Sequence, residues 1–277
     1  MYKTIGVAVA FSPRCESIIS EAARIQHLFD ATLVLIHVGE VKPDEKTYLD
    51  ELIESTKVNT QKLKIIWENG SPAEKILEVG AKENIDLLIA GALQKESFVK
   101  FYLGSIARKL IRKTDCAILM LVKPSNPPKK FKYIVINGSE AEDYVDTIRQ
   151  GLEIGRLDKA RQIHIFKSIK LFGLSMALLG EEETEQGQSE SRREIVSSEI
   201  REIEQLLEKM DTKDLKINVK AASGKPGFEL GKFTRKVGAD LLIVKRPSHH
   251  LNIFDRIFPH YLEQVMEDLP TNLLIVK

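Results

Sequence analysis

The sequence predicts an α/β protein built as two tandem domains, each a five-stranded parallel sheet with helices on both faces. Three observations predict it. Short apolar runs rich in β-branched residues recur, separated by segments of helical periodicity. These runs do not alternate polar with apolar, as Ile118-Leu119-Met120-Leu121-Val122 shows, so they suit strands covered on both sides and joined by crossover helices. The pattern then starts again after a Pro- and Lys-rich stretch at 123–130.

In the first half, 4–10 reads as a buried strand and 17–29 as a helix with Ile18, Ala22, Ile25 and Phe29 at helical spacing. A strand at 32–38 follows, then a helix at 44–62 with Leu49, Leu52, Ile53 and Thr56 on one face, then a short strand at 64–67. Gly70-Ser71-Pro72 supplies a cap and a proline, which start a helix over 72–82. A strand at 86–90, a helix at 105–113 and a strand at 117–122 complete five strands. The second half gives strands at 133–137, 162–167, 216–221, 240–244 and 272–276, with helices at 141–157, 192–210 and 226–237. The domains are therefore set at 1–123 and 132–277, with a linker at 124–131 and an insertion near 168–192.

Composition excludes several classes. The 277 residues carry 41 Lys+Arg against 40 Asp+Glu, a net charge of +1, with 43% hydrophobic and 29% charged residues. That balance argues against disorder and against a dedicated nucleic-acid binder. No apolar run approaches the roughly 18 residues that cross a membrane. The N-terminus runs straight into a strand without a signal-peptide pattern, and Cys15 and Cys116 fit neither a disulfide framework nor a metal motif, so a reducing cytoplasm is expected.

The halves overlay. An offset of 154 places Gly70-Ser71-Pro72 on Gly224-Lys225-Pro226, Asp86-Leu87-Leu88-Ile89 on Asp240-Leu241-Leu242-Ile243 and Val122 on Val276. The first strands overlay instead at 127, Ala10 on Asn137, which leaves 27 extra residues in the second copy. These are placed between Ser168 and Arg192: an apolar segment at 169–180, read as an extra cover or as a lid or dimer contact, and a polar loop at 181–191. An internal duplication results.

No phosphate-binding G-x-x-x-x-G-K-[ST], no G-x-G-x-x-G after a strand and no G-x-S-x-G appears. His249, His250 and His260 with Asp255 lack an established ligand spacing and read as loop residues. What remains is the connection Gly91-Ala92-Leu93-Gln94, nine residues, then Gly104-Ser105-Ile106. Gly91 lets the chain turn off the strand, Gly104 permits close approach, and Ser105 is expected to cap the next helix. A helix N-terminus beside a glycine and a hydroxyl suits an anion, in the crevice where open α/β sheets bind ligands.

With the duplication, these residues resemble the universal stress protein family in its tandem form. The resemblance covers nearly all of the chain except the linker and insertion, and rests also on Val7–Ser12 and Ile134–Glu140 as first strands with their turns. It implies two Rossmann-like domains, of the adenine nucleotide alpha hydrolase-like kind, packed as a pseudo-dimer in which 117–122 and 272–276 meet. It implies ATP with Mg at Ala10, Val38, Gly91, Ala92, Gln94, Gly104, Ser105 and Ile106, and a cytoplasmic regulator that changes shape or protein partner rather than turning over substrate. A homodimer of the chain is a further expectation. Nucleic acid and membrane are not expected partners. The sequence departs from the family pattern at Ala10, where nucleotide-binding members carry an aspartate, and at Gln94, where they carry glycine. The second half reads Lys245, Ser248, Phe258 and Pro259 at the loop and is read as a dead site. A nucleotide-free scaffold is the second reading. A nucleotide-transferring enzyme is the third, though neither Ser12-Pro13-Arg14-Cys15 nor Asn137-Gly138-Ser139-Glu140 supplies the loop it needs.

Overall fold

A computed structural model describes residues 1–94, 101–139, 144–169, 185–246 and 260–277. The chain divides into two compact units, Met1–Lys130 with Thr271–Lys277, and Phe131–Pro270.

The first unit runs β1 (Thr4–Val9), α1 (Cys15–Phe29), β2 (Thr32–Val38), α2 (Pro43–Ser55), β3 (Leu63–Glu68), α3 (Pro72–Lys82) and β4 (Leu87–Gly91). The short antiparallel pair β5 (Leu93–Gln94) and β6 (Phe101–Tyr102) follows, then α4 (Ser105–Lys113) and β7 (Ala117–Leu121). Five strands lie parallel in the order β3-β2-β1-β4-β7. All five residues of β7 are buried, as a strand covered on both faces requires. The chain's last strand, β12 (Asn272–Val276), pairs antiparallel with β7, Leu274 opposite Leu119. The two segments expected to meet do meet.

The apolar face read for the second helix is real: Leu49, Leu52, Ile53 and Thr56 are buried. That helix stops at Ser55 rather than Lys62, because Lys57 takes a left-handed conformation (φ 61°) and 60–62 form a separate 3-10 turn. The buried Gln26 side chain fixes this turn, donating to the carbonyls of Asn59 and Lys62 and accepting from the Asn59 N–H. Ser71 stands at the N-cap of α3 but makes no capping bond; its hydroxyl bonds Glu74 instead.

Residues 123–130, which read as a tether, fold onto α1. Ser20 donates to Asn126 Oδ1 (3.0 Å), Asn126 Nδ2 donates to Glu16 (2.7 Å), and the Lys129 N–H donates to Glu21 (3.4 Å). Burial raises the Glu21 carboxyl above its ordinary range, against the pull of Arg24 and two linker amides.

The second unit runs β8 (Tyr133–Asn137), α5 (Tyr144–Asp158), β9 (Gln162–Ile169), α6 (Glu185–Leu207), β10 (Ile217–Ser223), α7 (Pro226–Lys236), β11 (Leu241–Lys245) and α8 (His260–Glu267). Its strands are parallel in the order β10-β9-β8-β11. Residues 185–191, expected as loop, are the start of α6: Glu, Gln and Ser extend a helix already anchored by the fully buried Ile203 and by Lys167, which bonds Glu199 (2.7 Å) and Glu202 (2.6 Å). The rest of the apolar segment at 170–180 lies outside the described residues.

The pairing registers correct the overlay. Ile5 stands opposite Leu87 in the first unit, and Ile134 opposite Leu241 in the second. Ile5 therefore matches Ile134, an offset of 129 and not 127. Leu33 then matches Ile163, an offset of 130, and Leu63 matches Ile217, an offset of 154. The extra chain falls between β9 and β10, with one residue before β9. Both copies use one clasp at this point. Asp86 accepts from the N–H groups of Lys3 (2.8 Å) and Thr4 (3.2 Å), and Asp240 from those of Lys132 and Tyr133 (both 2.9 Å).

Within the second unit, His164 meets Phe233 edge-on at 5.5 Å, with its Nδ1 buried and unbonded, and burial lowers its pKa. The unfolded chain takes up a proton below about pH 6.5 while this ring resists it, so stability falls as pH drops through that value. His164→Phe is expected to flatten the loss between pH 7.5 and 5, read from urea midpoints at the two pH values.

Candidate functional site

The candidate residues gather at the carboxyl edge of the first unit's sheet, where β1, β2 and β4 end. Ala10 lies just past β1, exposed, its carbonyl accepting the Ser12 N–H (2.7 Å). Val38 ends β2, half-buried. Gly91 ends β4, and Ala92 is 2% exposed, its N–H donating to the Leu121 carbonyl (2.9 Å). Leu93 and Gln94 pair with Tyr102 and Phe101. The side chain of Gln94 and residues 95–100 fall outside the described residues.

At the return of this connection the capping expectation is corrected. Gly104, extended at ψ 172°, is the N-cap, and Ser105 is the first helical residue, exposed and not capping. The first turn of α4 has no acidic residue and no side-chain capping bond, and Ile106 is 45% exposed. The helix therefore presents its positive end and its first N–H groups without a side-chain acceptor.

The two glycines admit the chain's own side chains. A Cβ at Gly91 would stand 2.9 Å from Ile18 Cδ1, and one at Gly104 would stand 2.7 Å from Leu93 Cδ1. The Leu93 side chain is on an exposed residue and can move; Ile18 sits under the turn from α1.

Two features escaped the sequence reading. The first is an aromatic group over the ends of β1 to β3. Phe11 lies 4.8 Å from the His37 ring and stacks at 16° on Trp67, 6.2 Å away, with Tyr48 at 6.4 Å. His37 Nδ1 bonds the Val9 carbonyl (3.2 Å), which ties β2 to the turn after β1. The second is Arg14. Its guanidinium donates to the carbonyls of Ala92 (2.5 Å) and Val122 (2.6 Å) and lies over the Phe101 ring, joining the starts of two connections. An arginine two residues past a serine turn was the available signal. Next to it the Cys15 thiol is buried and pushed up to about 11, which leaves it inert as a nucleophile.

In the second unit the register places Ser139, not Asn137, at the position of Ala10, and Ser168 at that of Val38. Asn137 accepts the Ser139 N–H (3.2 Å), and the Ser139 hydroxyl accepts the Ser168 N–H (2.6 Å) and donates to the Phe166 carbonyl (3.4 Å). A polar knit thus closes the ground that Ala10 and Val38 leave apolar. Lys245 ends β11; residues 247–259, including Ser248, Phe258, Pro259 and the His249, His250 and Asp255 group, lie outside the described residues. Among the described residues no group of three His, Cys, Asp or Glu could hold a metal, and no helix is long and apolar enough to cross a membrane.

The comparisons with known proteins agree on one lineage. Residues 1–123 match the sequence profile of the Universal stress protein family. Universal stress protein MJ0531 of Methanocaldococcus jannaschii is 27% identical over 143 residues, 45% of this chain and 84% of that protein. Universal stress protein A homolog 1 of Coxiella burnetii is 27% identical over 139 residues, 43% of this chain and 94% of that protein. Among solved structures, a putative universal stress protein from Pseudomonas aeruginosa UCBPP-PA14 superposes with a TM-score of 0.72 at 16% identity, covering 100% of this chain and 93% of that one. A universal stress protein from Archaeoglobus fulgidus DSM 4304 superposes at 0.66 and 12%, covering 99% and 98%. At these identities the structures establish the fold, over the full chain. The first 123 residues, with their five parallel strands and the Gly91–Ser105 connection, thus match the universal stress protein family's profile, and the whole chain shares the α/β fold of solved universal stress proteins.

Proposed function

We propose that the chain is a cytoplasmic stress-response regulator whose first unit takes an adenine nucleotide at the carboxyl edge of its sheet, the phosphates and their Mg meeting the N-terminus of α4 and the base lying near Val38. The observation that carries this reading is the start of α4: Gly104 at the N-cap, Ser105 and Ile106 exposed, and no acid in the first turn. Backbone N–H groups and the helix dipole there are suited to a phosphate. The action is binding followed by a change of shape or partner, since Cys15 is buried and, among the described residues, the edge offers no nucleophile with a base beside it.

A nucleotide-free interaction protein is the second reading. Ile18 and Leu93 in the two glycine notches and the alanine at position 10 favour it. Thermal unfolding with and without Mg-ATP separates the two. At a hundredfold excess over Kd, binding adds about 2.7 kcal/mol of stability and a shift of several degrees. The nucleotide reading expects that shift in the parent chain and its loss in Gly104→Val, whose branched side chain would fill the approach. A parent chain that does not shift with ATP, ADP, AMP or adenosine assigns the scaffold reading.

A further inference from the structure

Two cations share one aromatic ring at the carboxyl edge of the first unit. The Arg14 guanidinium lies 5.8 Å from the centre of Phe101, and Lys123 Nζ lies 5.5 Å from it. Arg14 is held there by two carbonyls, Ala92 and Val122, which leaves three of its five N–H groups for other acceptors. Carbonyls and a ring position a guanidinium without neutralising it. Among the described residues neither Arg14 nor Lys123 has a carboxylate partner, and Glu16, two residues beyond Arg14, is engaged by Asn126. Desolvation lowers the Arg14 pKa with no acid opposing it. A third cation, Arg108, donates to the Leu103 carbonyl (3.2 Å) beside the Gly104 cap. Positive charge therefore gathers around Phe101, and β1 runs out into the neutral, exposed Ala10.

We propose that Arg14 and Lys123 select the ligand of this edge by its phosphate charge, so that a triphosphate binds well and a monophosphate poorly. The proposal rests on the anion reading of the α4 N-terminus and deepens it: it names the two cations that read the charge of the phosphate chain. A planar, partly desolvated guanidinium forms paired bonds to phosphate oxygens, and the exposed Lys123 adds a point charge.

Calorimetric titration of the intact protein with Mg-ATP, AMP and inorganic tripolyphosphate, at low and moderate salt, tests this. The expected result is ATP tighter than AMP by about tenfold or more, a difference that shrinks with salt. Arg14→Met and Lys123→Met are expected to lower the ATP affinity, the first by about tenfold and the second by less, while leaving AMP nearly unchanged. Lys123 is exposed, so its variant stays informative if Arg14→Met unfolds the edge. Equal affinities for ATP and AMP, or an ATP-to-AMP ratio unmoved by both substitutions, overturns the proposal and leaves adenine recognition standing. Tripolyphosphate binding as tightly as ATP, and weakened by the same substitutions, upholds the proposal and removes the adenine part of the functional reading. Binding of none of the three probes overturns the proposal.

Discussion

Deleting residues 271–277 is expected to destabilise the first unit by about 6 kcal/mol and to lower its melting temperature by roughly 10 °C or more. The magnitude follows from what β12 buries. Leu273, Ile275 and Val276 are 0% exposed and Leu274 is 3% exposed. Fully burying such a side chain contributes about 1.5 to 3 kcal/mol, and the lower figure is apt because an unfolded chain already shields part of its apolar surface. The deletion also strips β7 of its antiparallel partner, baring the ladder edge along Ile118, Leu119 and Met120, and removes the Asn272 side chain that accepts the Val122 N–H (2.8 Å). Hydrogen exchange of the β7 amides reads this directly. Unchanged protection of Ile118–Met120 in the truncated chain would show that β12 is dispensable to the first unit.

Gly227→Val is the second large effect, and it acts on the second unit. Gly227 lies in the first turn of α7, where that helix meets α8 at backbone contact. A Cβ there collides with the Tyr261 carbonyl oxygen and stands 2.8 Å from Gln264 Oε1 and 2.9 Å from Gln264 Cβ. A backbone atom cannot swing aside as a side-chain tip can, so α8 must shift as a body. Tyr261, Leu262, Val265 and Met266 on α8 are all buried, so the shift would disturb their packing. The expected cost is about 3 kcal/mol or more for Val and somewhat less for Ala, measured as a loss of urea midpoint. Gly80→Ala, where a Cβ meets nothing within 4 Å, is the matched control and is expected to be neutral or slightly stabilising. Equal stability of the Gly227 and Gly80 variants would contradict the packing argument.

Much of this fold is legible in the sequence because apolar runs and proline-started helices are local signals. The helix over Pro72–Lys82 and the strand over Asn272–Val276 fall at their expected bounds. The register of the duplicated first strands was not legible, and the reason is geometric. Side chains repeat every two residues along a strand, so sliding the match by two, from 129 to 127, keeps every side chain on its own face. Strands buried on both sides offer no polar alternation to penalise the slide; only pairing partners, Leu87 and Leu241, fix it. Caps misled for a different reason. Ser71 and Ser105 have the right chemistry, but a hydroxyl is free to choose another partner or to face water, and a glycine at position 104 can hold the cap's backbone angles by itself.

The candidate site divides the same way. Gly91 and Gly104 are visible as a spacing, yet a spacing does not say whose atoms use the room they leave, and here Ile18 and Leu93 do. Arg14 and the ring group of Phe11, His37 and Trp67 were invisible because they come together only when separate strands end side by side.

The return of β12 to the first unit has a consequence for how the protein is made. A ribosome that has released residue 123 has supplied every parallel strand of that unit but leaves β7 waiting, its outer amides facing solvent, until residue 276 emerges about 150 codons later. At translation speeds of roughly 5 to 20 residues per second the wait lasts on the order of 10 to 30 seconds. Over that interval neighbouring nascent copies on one messenger offer each other the same apolar edge.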